Sequence, residues 1–285
     1  MMPLTSYPRN KIKILLLENI SDSAVKEFEH EGYSGIHRLN GALSEAQLMK
    51  AVKGVHLIGI RSKTHLSKKV IDAADKLLAI GCFCIGVNQV DLNAATENGV
   101  AVFNAPHANT RSVAELIIGL AVMLIRKIAD KNAAAHQGVW LKDAKGSYEL
   151  RGKTLGIIGY GNIGSQVSIM AEALGMNVIY YDIATKLPHG NAKAVRELKD
   201  LVLKSHIVTL HVPSNSTTHN MINADVLKSF RRGAHLLNYS RGDVVDLKAL
   251  KKAVTSGRLA GAAVDVFPHE PEKQGDKFVS ELQNL

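Results

Sequence analysis

Cysteines and aromatic residues are scarce in this chain of 285 residues. Its two cysteines, Cys82 and Cys84, are separated by a single residue. Two thiols so placed are too close for a relaxed disulfide and too few for a structural zinc site. We therefore predict no metal site, and reduced thiols of the kind found in cytoplasmic proteins. Aromatic residues make up 5% of the chain, which leaves few side chains on which nucleic-acid bases could stack.

Long hydrophobic runs are absent as well. The most apolar segment, 116–125, is about half the length that a helix needs to cross a bilayer. Glu18 interrupts the short apolar run near the amino terminus, so no secretory signal is predicted. The net charge of +9 comes from basic residues spread along the chain. We predict no membrane or nucleic-acid partner, and interpret the charge as a solvated surface that helps to attract an anionic substrate.

In the first hundred residues, apolar runs typical of strands alternate with helical segments. Ser44 and Gln47 form a capping box that predicts the start of one helix, and Gly54 predicts its end. The pattern predicts a compact βα unit that reaches about Asn104. Its predicted strands are 12–17, 55–60, 77–82 and 100–103.

A long helix is predicted to follow this unit. Ser112 and Glu115 form a second capping box, and the helical pattern runs to about Ala135. The apolar block 116–125 is nearly continuous rather than striped, so we expect both faces of this helix to be covered. Domain packing or a subunit interface would supply the second cover.

A second alternating series occupies the rest of the chain. Strict alternation of strands and helices predicts a doubly wound parallel sheet with right-handed crossovers. The strands are predicted at 154–158, 177–181, 207–212, 234–238 and 261–267. The dinucleotide-binding version of this fold usually has six strands, so the five predicted here leave the sheet one strand short.

A glycine-rich turn, GYGNIG, follows the first strand of that series. Gly159 permits a tight turn, Gly161 lets the backbone approach a pyrophosphate, and Gly164 allows close packing of the next helix. Unpaired N–H groups at the helix amino terminus favour a negative charge there. Asp182 ends the following strand, where a carboxylate accepts hydrogen bonds from a ribose and repels a 2′-phosphate. The turn alone is a weak signal, but this context predicts a site for NAD rather than NADP.

The chain resembles the D-isomer-specific 2-hydroxyacid dehydrogenases. The segments that carry the resemblance are GIIGYGNIG, LLNYSRGDVVD and AGAAVDVFPHEP. Three segments of the first half, GIRSKTHL, AIGCFCIGVNQVDL and FNAPHANTRSVAEL, resemble members that act on a phosphorylated acid. The resemblance implies an α/β fold with a flavodoxin-like substrate-binding domain at 1–107 and a Rossmann NAD-binding domain at 108–285. It also implies NAD as cofactor, a small phosphorylated 2-hydroxy or 2-keto acid as substrate, and a homodimer or homotetramer.

The same resemblance assigns the catalytic residues. Arg241 would hold the substrate carboxylate with its planar guanidinium, although from the residues alone it could equally be a partner of Asp243. Glu270 would orient a catalytic histidine and raise its pKa, although from the residues alone it could be a solvated turn residue. Each follows directly after an apolar run that predicts a strand.

Further positions would hold the cofactor and the substrate. The cofactor positions include Gly159, Gly161, Gly164, Asp182 and Arg241, which were named above. The other cofactor positions are Asn162, Ile163, His211, Val212, Pro213, Tyr239, Ser240 and Asp265. For the phosphorylated acid, beside Arg241, they are Arg61, Ser62, Asn109 and Lys142. Without the resemblance, the segment RSKT would be interpreted as a polar loop.

One departure from the family pattern concerns proton transfer. The family's general acid/base is a histidine in a further strand after the glutamate, whereas no histidine follows His269 among these 285 residues. We therefore expect a carboxyl-terminal truncation that removes the last strand of the sheet and leaves activity doubtful. Two alternatives stay open: a non-catalytic NAD-binding protein, and a dehydrogenase for another D-2-hydroxy acid.

Overall fold

A computed structural model describes residues 7–271 and 275–282. Contacts divide the chain into two compact units, Met1–Asn109 and Thr110–Leu285. Each unit contains one parallel sheet with helices between successive strands. The predicted α/β class with two doubly wound sheets is therefore confirmed.

The first unit has a five-stranded parallel sheet. Its strand order is β2-β1-β3-β4-β5, the 2-1-3-4-5 order of flavodoxin-like folds. A 3₁₀ helix at Arg9–Lys11 precedes the sheet. The strands are β1 (Lys13–Leu16), β2 (Gly35–Arg38), β3 (Leu57–Ile60), β4 (Ala79–Cys82) and β5 (Ala101–Asn104), and the helices are α1 (Asp22–His30), α2 (Glu45–Ala51), α3 (Lys68–Asp72) and α4 (Leu92–Glu97).

Strand β1 lies inside this unit and is covered on both faces. Successive residues of a strand point to opposite sides, so Leu15 packs into one hydrophobic cluster while Ile14 and Leu16 pack into another. Edge strand β2 was not predicted, because its sequence GIHR is polar and only half-buried. The predicted capping box of Ser44 and Gln47 is present at the start of α2.

The second unit has a six-stranded parallel sheet. Its strand order is β8-β7-β6-β9-β10-β11, the 3-2-1-4-5-6 order of dinucleotide-binding folds. The strands are β6 (Thr154–Ile158), β7 (Asn177–Tyr181), β8 (Lys193–Ala194), β9 (Ile207–Leu210), β10 (Ala234–Asn238) and β11 (Leu259–Val264). The helices are α5 (Thr110–Ile125), α6 (Ile128–His136), α7 (Asn162–Ala173), α8 (Leu198–Lys204), α9 (Ala224–Ser229) and α10 (Leu247–Thr255).

The predicted strand count is wrong for this sheet. The additional strand is β8, an edge strand whose two residues are exposed. So short a polar strand has no apolar run that the sequence could reveal. The described residues therefore form all six strands of the order, and the expected shortfall of one strand is not present.

The long helix predicted from Ser112 to Ala135 is two helices. Helix α5 begins at Thr110, so Ser112 lies inside its first turn, and Glu115 pairs with Arg111 rather than closing a capping box. Between α5 and α6 the backbone of Lys127 is left-handed, with φ at 53°. One stripe of α5 is buried, whereas Leu116 and Met123 are exposed in the single chain. Cover of the second face by a subunit interface stays a prediction. No helix in the described residues has both the length and the apolar character to cross a membrane.

Candidate functional site

Five of the predicted cofactor residues lie along one row at the carboxyl edge of the second sheet. The last register positions of β7, β6, β9, β10 and β11 are aligned across the sheet, through Tyr181, Ile158, Leu210, Asn238 and Val264. Neighbouring strands are about 4.8 Å apart. The residues that come next in the chain therefore form a row as well: Asp182, Gly159, His211, Tyr239 and Asp265.

The three glycines of the turn after β6 have different surroundings. Gly159 has φ at 92°, and a Cβ there would lie 2.5 Å from the carbonyl oxygen of His211. A Cβ on Gly164 would lie 2.3 Å from the carbonyl oxygen of Gly159, so the helix packs against the turn. A Cβ on Gly161 would meet no atom within 4 Å. Gly161 is thus the position where the backbone faces open space that a ligand could fill.

The amino terminus of α7 opens at this turn. Gly161 is the N-cap residue, and Asn162 and Ile163 are the first two helical residues. The first N–H groups of a helix have no partner within the helix, and the helix dipole adds partial positive charge there. The predicted positions Asn162 and Ile163 therefore present backbone donors suited to a pyrophosphate.

The carboxylate of Asp182 is fixed by two backbone N–H groups. Its Oδ2 accepts a hydrogen bond of 2.8 Å from Tyr160, and its Oδ1 accepts one of 2.9 Å from Ala184. The first of these bonds ties Asp182 to the glycine-rich turn. A ribose beside that turn would therefore meet a carboxylate that is already held in place.

His211 begins the loop after β9 as a neutral imidazole. Burial lowers its pKa to about 4, so the ring carries no charge at neutral pH. Its Nε2 lies 3.0 Å from Oγ1 of Thr209. Val212 is half-buried against a hydrophobic cluster and Pro213 is exposed. The carbonyl of Pro213 accepts a hydrogen bond of 2.6 Å from the hydroxyl of Thr218. The three predicted residues thus form one ordered loop beside Gly159.

The turn after β10 carries Arg241 and is organised by a buried asparagine. The side chain of Asn238 is fully buried and donates a hydrogen bond of 2.9 Å to the carbonyl of Arg241. Its Oδ1 accepts hydrogen bonds from the backbone N–H and the hydroxyl of Ser240, at 3.2 and 2.9 Å. The guanidinium of the exposed Arg241 donates to the carbonyl of Ser240 at 2.7 Å. Asn238 therefore sets the backbone from which Arg241 projects.

Arg241 does not form the ion pair with Asp243 that the sequence left open. The carboxylate of Asp243 instead accepts a hydrogen bond of 2.5 Å from Ser214 and lies 3.7 Å from Nδ1 of His219. Ion pairs in the described part of the chain include none between Arg241 and Asp243. The guanidinium is therefore free of a carboxylate partner there and suited to an anionic ligand.

Glycine at 242 brings the Arg241 turn against the segment that carries Glu270. A Cβ on Gly242 would lie 2.1 Å from the carbonyl carbon of Phe267, so no larger residue fits. The carboxylate of the exposed Glu270 accepts a hydrogen bond of 3.0 Å from the backbone N–H of Phe267. The turns that hold the two predicted catalytic residues are thus in direct backbone contact.

Tyr239 and Asp265 are neighbours at one end of the row. Burial raises the pKa of the Tyr239 hydroxyl, and the nearby carboxylate of Asp265 raises it further. The backbone N–H of Asp265 donates a hydrogen bond of 3.2 Å to the carbonyl of Asn238. Asp265 is exposed, so its carboxylate is open to a ligand.

In the first unit, Arg61 and Ser62 begin an exposed loop directly after β3. The carboxylate of Glu18 accepts hydrogen bonds from the backbone N–H groups of Arg61 and Lys63, both at 3.0 Å, and of Thr64 at 2.8 Å. Burial alone would raise the pKa of Glu18, but the hydrogen bonds from Thr64 and from the N–H groups of Lys63, Thr64 and Arg61 lower it. Glu18 is therefore an ionised anchor for the loop.

A second buried side chain holds the same loop from the other side. The amide nitrogen of Gln89, which is 4% exposed, donates to the carbonyl of Arg61 at 3.0 Å and to that of Gly86 at 3.2 Å. The remaining predicted substrate residues lie elsewhere in the chain. Asn109 is the last residue of the first unit, and Lys142 is exposed in the second.

Three positioning residues were not predicted: Asn238, Glu18 and Gln89. In the sequence, Glu18 only marks the end of an apolar run, and Asn238 is the last residue of another. A polar residue that closes a buried strand is a signal for both, because its side chain reaches the loops at that edge. For Gln89 the sequence offers no comparable signal.

The comparisons with known proteins identify the family. The model of the NAD-binding domain of the D-isomer specific 2-hydroxyacid dehydrogenases matches residues 118–285. This chain belongs to that family. Its second unit is the NAD-binding domain of a family of NAD-dependent oxidoreductases, as the resemblance implied.

Relatives of this 2-hydroxyacid dehydrogenase extend the match over both units. The D-3-phosphoglycerate dehydrogenase of Escherichia coli K12 is 53% identical over 281 residues, which cover 99% of this chain and 68% of the relative. The D-3-phosphoglycerate dehydrogenase of Dictyostelium discoideum is 50% identical over 283 residues, covering 99% and 69%. The chain thus spans about two thirds of the length of these relatives.

Solved structures show the same fold. The TT0316 protein of Thermus thermophilus is 32% identical, with a TM-score of 0.83 over 93% of this chain and 85% of its own. The D-lactate dehydrogenase of Aquifex aeolicus, solved with NAD and lactic acid, is 26% identical, with a TM-score of 0.75 over 90% and 77%.

Proposed function

We propose that this family member oxidises 3-phospho-D-glycerate to 3-phosphohydroxypyruvate with NAD, the first step of L-serine biosynthesis. The observation that carries the proposal is the 53% identity to a D-3-phosphoglycerate dehydrogenase along 99% of the chain. The identity includes the first unit, where the anchored loop with Arg61 and Ser62 lies. The cytoplasm is the compartment that this function and the two free thiols favour.

The cofactor site fits NAD in its own geometry. The open space at Gly161 and the amino terminus of α7 suit a pyrophosphate, and the anchored carboxylate of Asp182 suits a ribose without a 2′-phosphate. When bound, NAD supplies the hydride acceptor for the reaction. The chain's own contribution is to hold and orient the cofactor along the row from Asp182 to Asp265.

Two cations would recognise the two anionic ends of the substrate. Arg241 has no carboxylate partner among the described residues, and its planar guanidinium can bind the substrate carboxylate with two hydrogen bonds. Arg61 and Ser62, with Asn109 and Lys142, would hold the phosphate. Arg61 is suited to this role because Glu18 and Gln89 fix the backbone of its loop.

Proton transfer at the substrate hydroxyl needs a general acid/base. Glu270 would orient such a group, but His269 precedes it directly in the same turn and cannot face it across a site. No histidine follows within these 285 residues. A general acid/base typically contributes a factor of about 10²–10⁴ in rate.

We also propose that the protein assembles as a homodimer or homotetramer. Leu116 and Met123 on α5 are 46% and 39% exposed, and a second copy could cover them. Light scattering coupled to size-exclusion chromatography would test this. A monomer at micromolar concentration would contradict it.

Calorimetric binding at saturating NAD tests the substrate assignment. We expect 3-phosphoglycerate to bind at least about tenfold more tightly than D-glycerate, because the phosphate adds charge-assisted hydrogen bonds. Arg61→Gln should remove this difference, whereas Lys76→Gln, an equal loss of charge in the same unit, should preserve it.

Two other outcomes would replace the proposal. Equal affinity for the two acids would indicate a dehydrogenase of another D-2-hydroxy acid. Binding of NADH with neither acid bound would indicate a non-catalytic NAD-binding protein. A turnover assay with phosphohydroxypyruvate and NADH would then measure the activity that the chain retains.

A further inference from the structure

A basic cavity lies at the amino edge of the second sheet, opposite the row of cofactor residues. Its volume is about 470 Å³, a size typical of small-molecule sites. Lys153 and His206 directly precede β6 and β9, and Arg231 and Arg232 lie in the turn before β10. None of these residues takes part in the site described above.

The charged residues that line this cavity are all basic. Among its described lining residues there is no aspartate or glutamate; Asp130 lines the neighbouring apolar cavity instead. In the described part of the chain, no ion pair involves Lys127, Lys153, Arg231 or Arg232. The basic side chains around the cavity are Lys127, Lys153, His206, Arg231, Arg232 and His235.

The backbone holds two of these side chains in place. Lys127 adopts a left-handed conformation that L-residues rarely take, and its ammonium donates to the carbonyl of Lys145 at 3.4 Å. Nδ1 of His206 accepts a hydrogen bond of 3.0 Å from the backbone N–H of Thr154. A neutral His206 therefore carries its proton on Nε2 and can donate it.

The two histidines report the positive field inside the cavity. Burial lowers the pKa of His206, and Arg231 and Lys153 lower it further. Burial also lowers the pKa of His235; a hydrogen bond to the backbone of His206 opposes this, and Lys127 adds to the lowering. His206 is thus affected by Arg231 and Lys153, and His235 by Lys127, all of which line the same cavity.

We propose that this cavity binds a small phosphate-bearing anion at a site distinct from the cofactor site. Guanidinium and ammonium groups are the usual partners of phosphate oxygens. Lys127, Lys153, Arg231 and Arg232 around one cavity repel one another, and an anion among them reduces that repulsion. A multiply charged ligand with two phosphate groups would use the most donors.

Pyrophosphate serves as the probe, with NADH present at saturation so that the cofactor site is filled. The ring protons of His206 and His235 are followed by NMR and assigned with His206→Gln and His235→Gln. We expect both resonances to shift along one binding curve, and the pKa of both imidazoles to rise on saturation. Resonances that stay unmoved would overturn the proposal.

Paired charge variants separate this site from a general effect of net charge. The double variant R231Q/R232Q should weaken pyrophosphate binding by about tenfold or more. The matched control K248Q/K251Q removes the same charge from exposed positions of α10 and should change it less than about twofold. Equal weakening in both would contradict the proposal.

Two further experiments complete the test: a replacement variant and a parallel titration with DNA. If R231Q/R232Q does not fold by circular dichroism, K127Q/K153Q replaces it with the same expectation. A short DNA duplex is titrated in parallel. Duplex that shifts the two histidines at lower concentration than pyrophosphate would make the ligand a nucleic acid and overturn the assignment to a small anion.

Discussion

The buried side chain of Asn238 donates a hydrogen bond of 2.9 Å to the carbonyl oxygen of Arg241. The same amide accepts two hydrogen bonds from Ser240 through its oxygen. One side chain therefore fixes the backbone of Ser240 and of Arg241, whose guanidinium is proposed to hold the substrate carboxylate. Asn238 acts on the ligand through Arg241 rather than by touching it.

Replacing Asn238 with alanine should weaken substrate binding more than cofactor binding. We expect the Kd of 3-phosphoglycerate to rise about tenfold at saturating NAD, because the turn loses the partners that hold it. The free energy of unfolding should fall by about 1–3 kcal/mol for the buried groups left unpaired. Calorimetry and urea denaturation measure the two quantities.

A control of similar structural cost separates positioning from stability. Asn223 caps α9 by accepting hydrogen bonds from the N–H groups of Asp225 and Val226, so Asn223→Ala should cost about 1 kcal/mol. Its Kd for 3-phosphoglycerate should stay at the wild-type value. If both variants weakened binding equally, Asn238 would have no specific role.

Gly161→Ala should impair NADH binding without destabilising the fold. The added methyl group meets no protein atom within 4 Å, but it would occupy the space proposed for the pyrophosphate. We expect the Kd of NADH to rise at least about tenfold, because the backbone can no longer approach the phosphates. Fluorescence titration measures Kd, and thermal unfolding should give an unchanged Tm.

Two other glycine variants serve as references for Gly161. Gly164→Ala should lower Tm, because its methyl group would lie 2.3 Å from the carbonyl of Gly159. Gly119→Ala, in open space on α5, should leave Kd unchanged and raise stability by about 0.5–1 kcal/mol. A lowered Tm for Gly161→Ala would show that protein rather than ligand fills the space.

Asp182→Asn should reduce the preference for NADH over NADPH. The carboxylate is expected to repel a 2′-phosphate, and two charges about 4 Å apart near a protein surface interact by up to about 4 kcal/mol. We expect the ratio of the two dissociation constants to change by at least about tenfold. The exposed Asp200→Asn on α8 removes the same charge and should leave the ratio unaltered.

Glu18→Gln should destabilise the protein at neutral pH but not in acid. Hydrogen bonds lower the pKa of Glu18 in the folded chain, so the ionised group stabilises the fold above its unfolded pKa. That contribution is lost as the pH falls below about 4.3, the ordinary value for glutamate. At pH 7 we expect a loss of about 1–3 kcal/mol, because one glutamine oxygen cannot serve all three N–H groups.

Urea denaturation across this pH range measures the effect at Glu18. The difference between wild type and variant should shrink as the pH falls. Glu29→Gln, at an exposed position of α1, should differ little from wild type at any pH. A difference for Glu18→Gln that persisted in acid would show that ionisation is not the source of its effect.

The sequence predicted where the cofactor residues lie better than how they are held. The ends of apolar runs placed Gly159 and Asp182 at the carboxyl edge, because parallel strands bring their carboxyl ends to one edge. His211 was predicted inside a strand at 207–212, but that strand ends at Leu210. Glu18 and Asn238 were missed as positioning residues because the sequence shows only that each closes an apolar run, whereas their partners depend on loop conformations. Glu18 bonds to residues 43–46 positions away in the chain.

Two of the errors in the fold, strand β8 and the break between α5 and α6, have similar physical origins. Strand β8 has two exposed residues, Lys193 and Ala194, so it leaves no trace in the hydrophobic pattern. The break between α5 and α6 lies at Lys127, where neither glycine nor proline marks the left-handed backbone. Tertiary packing decides both features, and the helical pattern on either side of Lys127 is otherwise continuous.

The row of residues at the carboxyl edge has a consequence for engineering this dehydrogenase. Each of its five members is the first residue of a separate connection, so insertions further along a connection leave the row in register. The connection that begins at Asp182 is accessible, because Ile183 and Leu187 are 91% and 88% exposed. Grafting a longer segment there would exchange the surroundings of the adenosine while the glycine-rich turn keeps its shape.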